Sequence, residues 1–361
     1  MKVYKPLFKL VRSPLRRFTL WIKQKLGWLD TPLIMAYRAY GNREDIYFRG
    51  HVMEDKGLSK PNPRDSFWLN ILAMIKRFTN DTIPNVQLIV RIGKVFHSVE
   101  TDENGHFYLK IPNPGLETGW HQAEIELLDE VVANQSRVRT EVNIFIPEAV
   151  ALGVITDIDD TFLVSHATKI FKKLWLLLSR NAYTHKPFEG ISDFYQLLNR
   201  GTNEDRETPF FYVSSSEWNL YDFIVDFCHF QKLPDGIFML QDMKLNIQEF
   251  WRSGGGKHQH KIDKIRHIFH TYPDMKFILI GDSGQHDPEN YYAIAQEFPH
   301  QVETIYIRDI RKPRAKVVQV LDTQLQNLNI EMVLFKHSAE ATEHACQRGY
   351  IPDPVINKAH D

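Results

Sequence analysis

The sequence predicts an α/β fold in two parts, a domain with a central parallel sheet preceded by a smaller β-rich, sandwich-like domain. Three observations carry this. After Pro147, short apolar runs alternate with segments of helical periodicity, the grammar of a parallel sheet wound on both sides. Two of those runs, Val154-Ile155-Thr156 and Phe277–Ile280, end abruptly in carboxylates at Asp157 and Asp282, as strands do when their carboxyl ends hold a ligand. Between residues 36 and 148, side chains instead alternate in polarity with a period of two.

The 361 residues, 43% of them hydrophobic, suffice for two cored domains. Lys and Arg (44) nearly balance Asp and Glu (45), so no overall field points to a nucleic-acid partner. The balance is uneven, however. Residues 1–28 carry eight basic side chains and no acidic one, leaving the other 333 residues with 36 basic against 45 acidic. Only Cys228 and Cys346 occur, far apart, which fits a reducing, cytoplasmic setting and speaks against a thiolate zinc site. The longest apolar runs, such as Leu174–Leu178, fall far short of the ~20 residues that span a bilayer. The N-terminus shows no apolar core of a signal peptide.

The chain divides by pattern into residues 1–35, 36–148 and 149–361. In the first, Ser13 is placed to cap a helix, Pro14 to start it and Gly27 to stop it. Leu15, Phe18, Trp21, Ile22 and Leu26 recur at helical spacing against Arg16, Arg17, Lys23 and Lys25. Such a helix suits either peripheral contact with an anionic membrane surface or docking on a neighbouring domain. In the second part, Phe107, Leu109 and Ile111 alternate with polar neighbours, as do Val142, Ile144 and Ile146. Asp102-Glu103-Asn104-Gly105 reads as the turn of a hairpin joining Val95–Val99 to His106–Ile111, and Phe67–Phe78 as a helix. The third part predicts strands at Leu152–Thr156, Phe210–Val213, Gly236–Leu240, Lys276–Ile280, Val302–Ile307 and Met332–Phe335. Helices are expected around Leu220–Phe230, Lys261–Thr271 and Asn290–Phe298.

Four features carry chemistry. They are Asp157-x-Asp159-x-Thr161, the hydroxyl run Ser214-Ser215-Ser216 at a strand end, Lys261 at the start of a helix, and Gly281-Asp282 followed by Asp287. Like charges at one strand end repel, so three carboxylates after Thr156 call for a cation or hydrogen bonds. Other chemistries find no support. There is no H-E-x-x-H, no G-x-S-x-G, and Gly254-Gly255-Gly256-Lys257 lacks the Ser or Thr of a phosphate-binding loop. His258 and His260 lack a third metal ligand nearby, and Lys257 competes with Lys261 for a phosphate role.

In order, these motifs resemble the haloacid dehalogenase (HAD) superfamily. Adding Trp218-Asn219-Leu220-Tyr221, His260-Lys261, Phe277–Gly284 and Ile305-Tyr306-Ile307-Arg308, the wording resembles the App1 phosphatidate phosphatase catalytic domain family over roughly residues 150–310. The family's Ser-Asn-Ser-Pro-Trp stands here as Ser214-Ser215-Ser216-Glu217-Trp218, a change beside the site that spares the nucleophile. The resemblance implies a HAD-like Rossmannoid domain and a Mg²⁺-dependent phosphatase converting phosphatidate to diacylglycerol. Asp157 would be the nucleophile, a role carboxylates fill in covalent phosphoryl transfer. Asp159 would serve as acid and base, and Ser214 and Ser215 would meet the phosphoryl oxygens. Lys261 would neutralise charge, and Asp157, Asp159, Asp282 and Asp287 would form the Mg²⁺ site and its surround. Asp160 and Thr161 would shape the turn. A Lys-rich, Trp-containing insertion at Ala167–Ser179 could cover acyl chains or pack on the core with its lysines in water. The same architecture would also suit a soluble phosphomonoester, or a membrane adaptor with an inactive phosphatase domain.

Overall fold

A computed structural model of the chain describes residues 29–55, 82–148, 152–158, 190–202, 207–218, 221–241, 259–284, 286–310 and 314–352. The chain divides into two compact units, Met1–Ile146 and Pro147–Asp361. The readings made above for residues 1–28, Phe67–Phe78, Ala167–Ser179, the glycine run, Lys257 and His258 lie outside the described residues.

In the first unit, eight strands join into one mostly antiparallel sheet. They are β1 (Pro32–Ala36), β2 (Ala39–Gly41), β3 (Asp45–Glu54), β4 (Gln87–Ile92), β5 (Val95–Glu100), β6 (His106–Pro112), β7 (Gly119–Leu127) and β8 (Arg139–Ile146). Their order is β1-β3-β2-β8-β7-β4-β5, with β6 also paired to β3, and only the β2–β8 pair is parallel. The inward set, including Phe48, Val52, Val90, Phe107, Ile125 and Ile144, forms a single buried cluster.

The expected hairpin between β5 and β6 does not form. β5 pairs with β4 across the two-residue loop Gly93-Lys94, where Gly93 takes a positive φ of 56°. The turn at Asp102 does form, with the Gly105 N–H donating to the Asp102 carbonyl at 2.8 Å. Its outcome is different because Val52 N–H donates to the Gly105 carbonyl and starts β6 along β3 instead. The alternation was legible; the partner was decided by the neighbouring strand that reached the ladder.

The second unit is an α/β layer structure. A six-stranded, wholly parallel sheet runs β11 (Gly236–Gln241), β10 (Phe210–Glu217), β9 (Leu152–Asp157), β12 (Lys276–Asp282), β13 (Val302–Arg308), β14 (Glu331–Phe335). The first strand in sequence thus lies near the middle, and the order runs outward from it in both directions. Such a reversal leaves a crevice at the carboxyl ends beside β9 and β12. Val154, Ile155, Phe277, Ile278, Leu279, Ile305 and Ile307 are buried, as central strands covered on both faces require. Six helices are described: α1 (Ile191–Arg200), α2 (Tyr221–Phe230), α3 (Gln259–Thr271), α4 (Asp287–Glu297), α5 (Ala315–Leu325) and α6 (Ser338–Gln347).

A carboxylate and lysine cluster at the strand ends

The site grows from two adjacent strands. Ile280 of β12 lies opposite Thr156 of β9, so Asp157 comes level with Gly281, one residue before Asp282 at the end of the adjacent strand. On the other flank Asp157 is in register with Val213, and Ile158 N–H donates to the Val213 carbonyl at 3.2 Å. This sets Ser214 just beyond the part of β10 that pairs with β9, fully buried.

Helix α3 brings two lysines to these ends. Lys261 Nζ lies 2.7 Å from Asp157 Oδ2 and donates to Asp287 Oδ1 at 2.6 Å. All three side chains are essentially removed from water, at 5%, 3% and 0% exposure. Removing charges from water is unfavourable unless geometry and hydrogen bonds offset it, and one ammonium shared by two carboxylates does so here. Asp287 stands at the start of α4, and its other oxygen accepts the Asp282 N–H at 3.3 Å. It can approach because residue 281 is glycine: a Cβ there would lie 2.6 Å from Asp287 Oδ2 and 2.8 Å from the Tyr291 ring. The Gly281-Asp282 spacing to Asp287 is therefore a packing requirement as well as a chemical one.

The surround is built to hold this cluster still. Asp282 Oδ1 accepts the Gly284 N–H at 2.6 Å, bending the chain after β12. The Ser283 hydroxyl accepts the Ile310 N–H at 3.0 Å, and Ser283 N–H donates to the Arg308 carbonyl at 2.9 Å. Tyr291 donates to the Ile280 carbonyl at 2.9 Å; burial, then the charges of Asp287 and Asp157, push its hydroxyl well above the ordinary phenol value, so it stays a donor. Tyr195 of α1 shares a 2.7 Å hydrogen bond with Thr156, and burial likewise raises its hydroxyl.

The structure brings together Asp157, Ser214, Lys261, Asp282 and Asp287. Asp159 lies outside the described residues, and Ser215 contributes a backbone position in β10 but no described side chain. Sequence reasoning gave no role to Lys264 and Arg308. Lys264 is buried one turn after Lys261, and its Nζ donates to the Ser214 carbonyl at 2.5 Å. The signal was present, since Lys264 interrupts the apolar face of Ile265 and Ile268, both fully buried. Arg308 ends β13 in register with Asp282. Burial lowers its guanidinium from the usual value, against which Asp282 holds it up.

For a divalent cation, the donors on hand are carboxylate oxygens from adjacent strand ends. That hard, all-oxygen set with few carboxylates suits Mg²⁺, which keeps several waters and a substrate phosphate. Among the described residues, no group of three or more His, Cys, Asp or Glu side chains is gathered as a cage.

A parallel sheet with a buried carboxylate–ammonium cluster at its carboxyl ends defines an α/β domain whose buried charges sit at the strand-order reversal. Residues 152–309 match the family described as "Phosphatidate phosphatase APP1, catalytic domain", so over this segment the chain is similar to App1-type catalytic domains. A stretch of 157 residues is 31% identical to phosphatidate phosphatase APP1 of Saccharomyces cerevisiae, covering 44% of this chain and 26% of that protein. A second stretch, of 198 residues, is 28% identical to an uncharacterized Schizosaccharomyces pombe protein, covering 53% of this chain and 30% of the other. The chain thus corresponds to less than a third of either relative's length. Among solved structures, a carbohydrate acetylesterase from Xanthomonas citri covers 84% of this chain and 68% of its own at 11% identity. Its TM-score is 0.31, too low to bear on fold or function.

Proposed function

We propose that this chain is a Mg²⁺-dependent phosphatase of HAD-like architecture that converts phosphatidate to diacylglycerol and inorganic phosphate. One observation carries the proposal: in a segment of App1 type, Lys261 bridges the buried carboxylates of Asp157 and Asp287 at the sheet's carboxyl ends. The strand order, reversing between β9 and β12, supports a HAD-like Rossmannoid reading.

In the first half-reaction a carboxylate oxygen of Asp157 attacks phosphorus, and the bond from phosphorus to the ester oxygen breaks. The leaving alkoxide takes a proton from the Asp159 carboxyl. In the second, the Asp159 carboxylate removes a proton from water, whose oxygen attacks phosphorus and frees Asp157 and phosphate. The Ser214 hydroxyl, with Ser215 beside it, is assigned to the phosphoryl oxygens. Lys261 spreads the negative charge shared by Asp157 and the phosphoryl group, held in aim by Asp287. Asp157 and Asp282, with residue 159, would hold Mg²⁺, which when bound neutralises phosphate charge and orients it for in-line attack. Asp287 fits the role of anchor for Lys261 and the Asp282 backbone.

The basic, apolar-striped sequence of residues 1–28 supports a cytoplasmic enzyme working peripherally at a membrane surface. The deciding assay is phosphate release from phosphatidate in detergent micelles, with Mg²⁺ and with EDTA, beside a panel of soluble phosphomonoesters. Metal-dependent release mainly from phosphatidate is expected. Release only from the soluble panel would keep Asp157 as nucleophile and move the substrate off the membrane. Vesicle binding with no turnover of any phosphomonoester would leave a lipid-binding adaptor.

A further inference from the structure

Lys261 has a companion that the phosphatase reading does not use. Lys264 lies three residues further along α3, also buried, and its ammonium donates to a main-chain oxygen of β10. Buried lysines are uncommon without a specific partner, and here a backbone carbonyl is one.

The reason lies in β10. Pairing with β11 is regular up to Val213 opposite Met239, then resumes at Glu217 opposite Gln241. Two more residues are spent on β10 than on β11 across that interval, so Ser214–Ser216 bulge from the ladder. Bulges of this kind re-aim side chains beside active sites. A main-chain oxygen buried at such a bulge still requires a hydrogen bond, because an unmade one is costly. At Ser214, the Lys264 ammonium donates such a bond at 2.5 Å.

We infer that Lys264 is a positioning residue: by holding the Ser214 carbonyl, it fixes the bulge that presents the Ser214 hydroxyl and neighbouring amides to the phosphoryl group. The inference deepens the phosphatase reading and rests on it for the role of Ser214. One helix thereby sets two strand ends at once, Lys261 the carboxylate of β9 and Lys264 the hydroxyl loop of β10. A charge-assisted bond to a backbone atom holds geometry more firmly than a neutral one.

The test compares wild type with Lys264→Met, which keeps the length of the side chain without its charge, and with Lys264→Arg, which keeps a cationic donor. Two readouts are taken on the full chain: amide hydrogen exchange across residues 210–218, and steady-state kinetics on phosphatidate and p-nitrophenyl phosphate. Faster exchange confined to residues 214–217 in Lys264→Met is expected, with most protection restored in Lys264→Arg. In kinetics, kcat/KM should fall roughly tenfold, mostly in kcat, and the loss should shrink in a Ser214→Ala background, where only the amides remain to be positioned. Unchanged exchange would overturn the inference, as would a kinetic loss that adds fully to that of Ser214→Ala. If wild type turns over no phosphomonoester while exchange still quickens in Lys264→Met, the phosphatase reading fails and the positioning of the bulge stands.

Discussion

Replacing Lys261 by methionine probes the centre of the site through stability alone. Met keeps the apolar stem that α3 buries but removes the ammonium within 2.7 Å of Asp157 and 2.6 Å of Asp287. Both carboxylates are shut off from water, at 3% and 0% exposure, so the loss leaves buried charge without its counterion. Removing one partner of a buried pair costs about 3–5 kcal/mol. For a unit of this size each kcal/mol shifts the midpoint by about 2–4 °C, so calorimetry should show the transition of residues 147–361 lowered by roughly 6–20 °C. The sign of the pH response follows. Protonating a carboxyl in the variant removes the unpaired charge, so the folded variant takes up protons more readily than its unfolded chain. Its stability then falls as pH rises, and the deficit against wild type should narrow from about pH 7.5 to about pH 5.5. A variant as stable as wild type at neutral pH, or a deficit that widens in acid, would refute the view that Lys261 offsets these two charges.

Other outcomes follow from particular contacts. Gly281→Ala forces a Cβ to within 2.6 Å of Asp287 Oδ2 and should lower stability by about 1–3 kcal/mol with a loss of turnover; a thermal melt with activity on the same sample checks both. Tyr291→Phe removes the donor to the buried Ile280 carbonyl and should destabilise the same unit by about 1–3 kcal/mol, read by calorimetry. In the first unit, burial and then His106 hold His51 well below the usual imidazole value. Its unfolded form takes a proton first as pH falls through about 6.5, so stability present at higher pH should decline by ~1.4 kcal/mol one pH unit lower, a slope that His51→Gln should flatten in pH-resolved melts.

The strands of the second unit were legible because buried parallel strands are short apolar runs with sharp ends, and Asp157 and Asp282 marked two of those ends. α1, α5 and α6 were not foreseen. α6 in particular buries little beyond Ala341 and Ala345, too small an apolar stripe to stand out. The partner of β6 depended on the Val52-to-Gly105 hydrogen bond, a contact between residues 53 positions apart that no local pattern encodes. Within the site, residue types at strand ends and helix starts pointed to Asp157, Ser214, Lys261, Asp282 and Asp287. Lys264 escaped because it meets a buried main-chain oxygen at a bulge, and a bulge is set by register with β11. Arg308 stood in the sequence only as part of the Ile305–Arg308 wording, without a role, because its register with Asp282 is set by the pairing of β12 and β13.

The most direct test of the account is to quench a reaction with phosphoryl-labelled phosphatidate in acid and locate the label on the protein. The account predicts label on the peptide containing Asp157, formed in the presence of Mg²⁺, absent with EDTA, and lost together with turnover in Asp157→Asn. Turnover that survives in Asp157→Asn, or label recovered on any other residue, would contradict it.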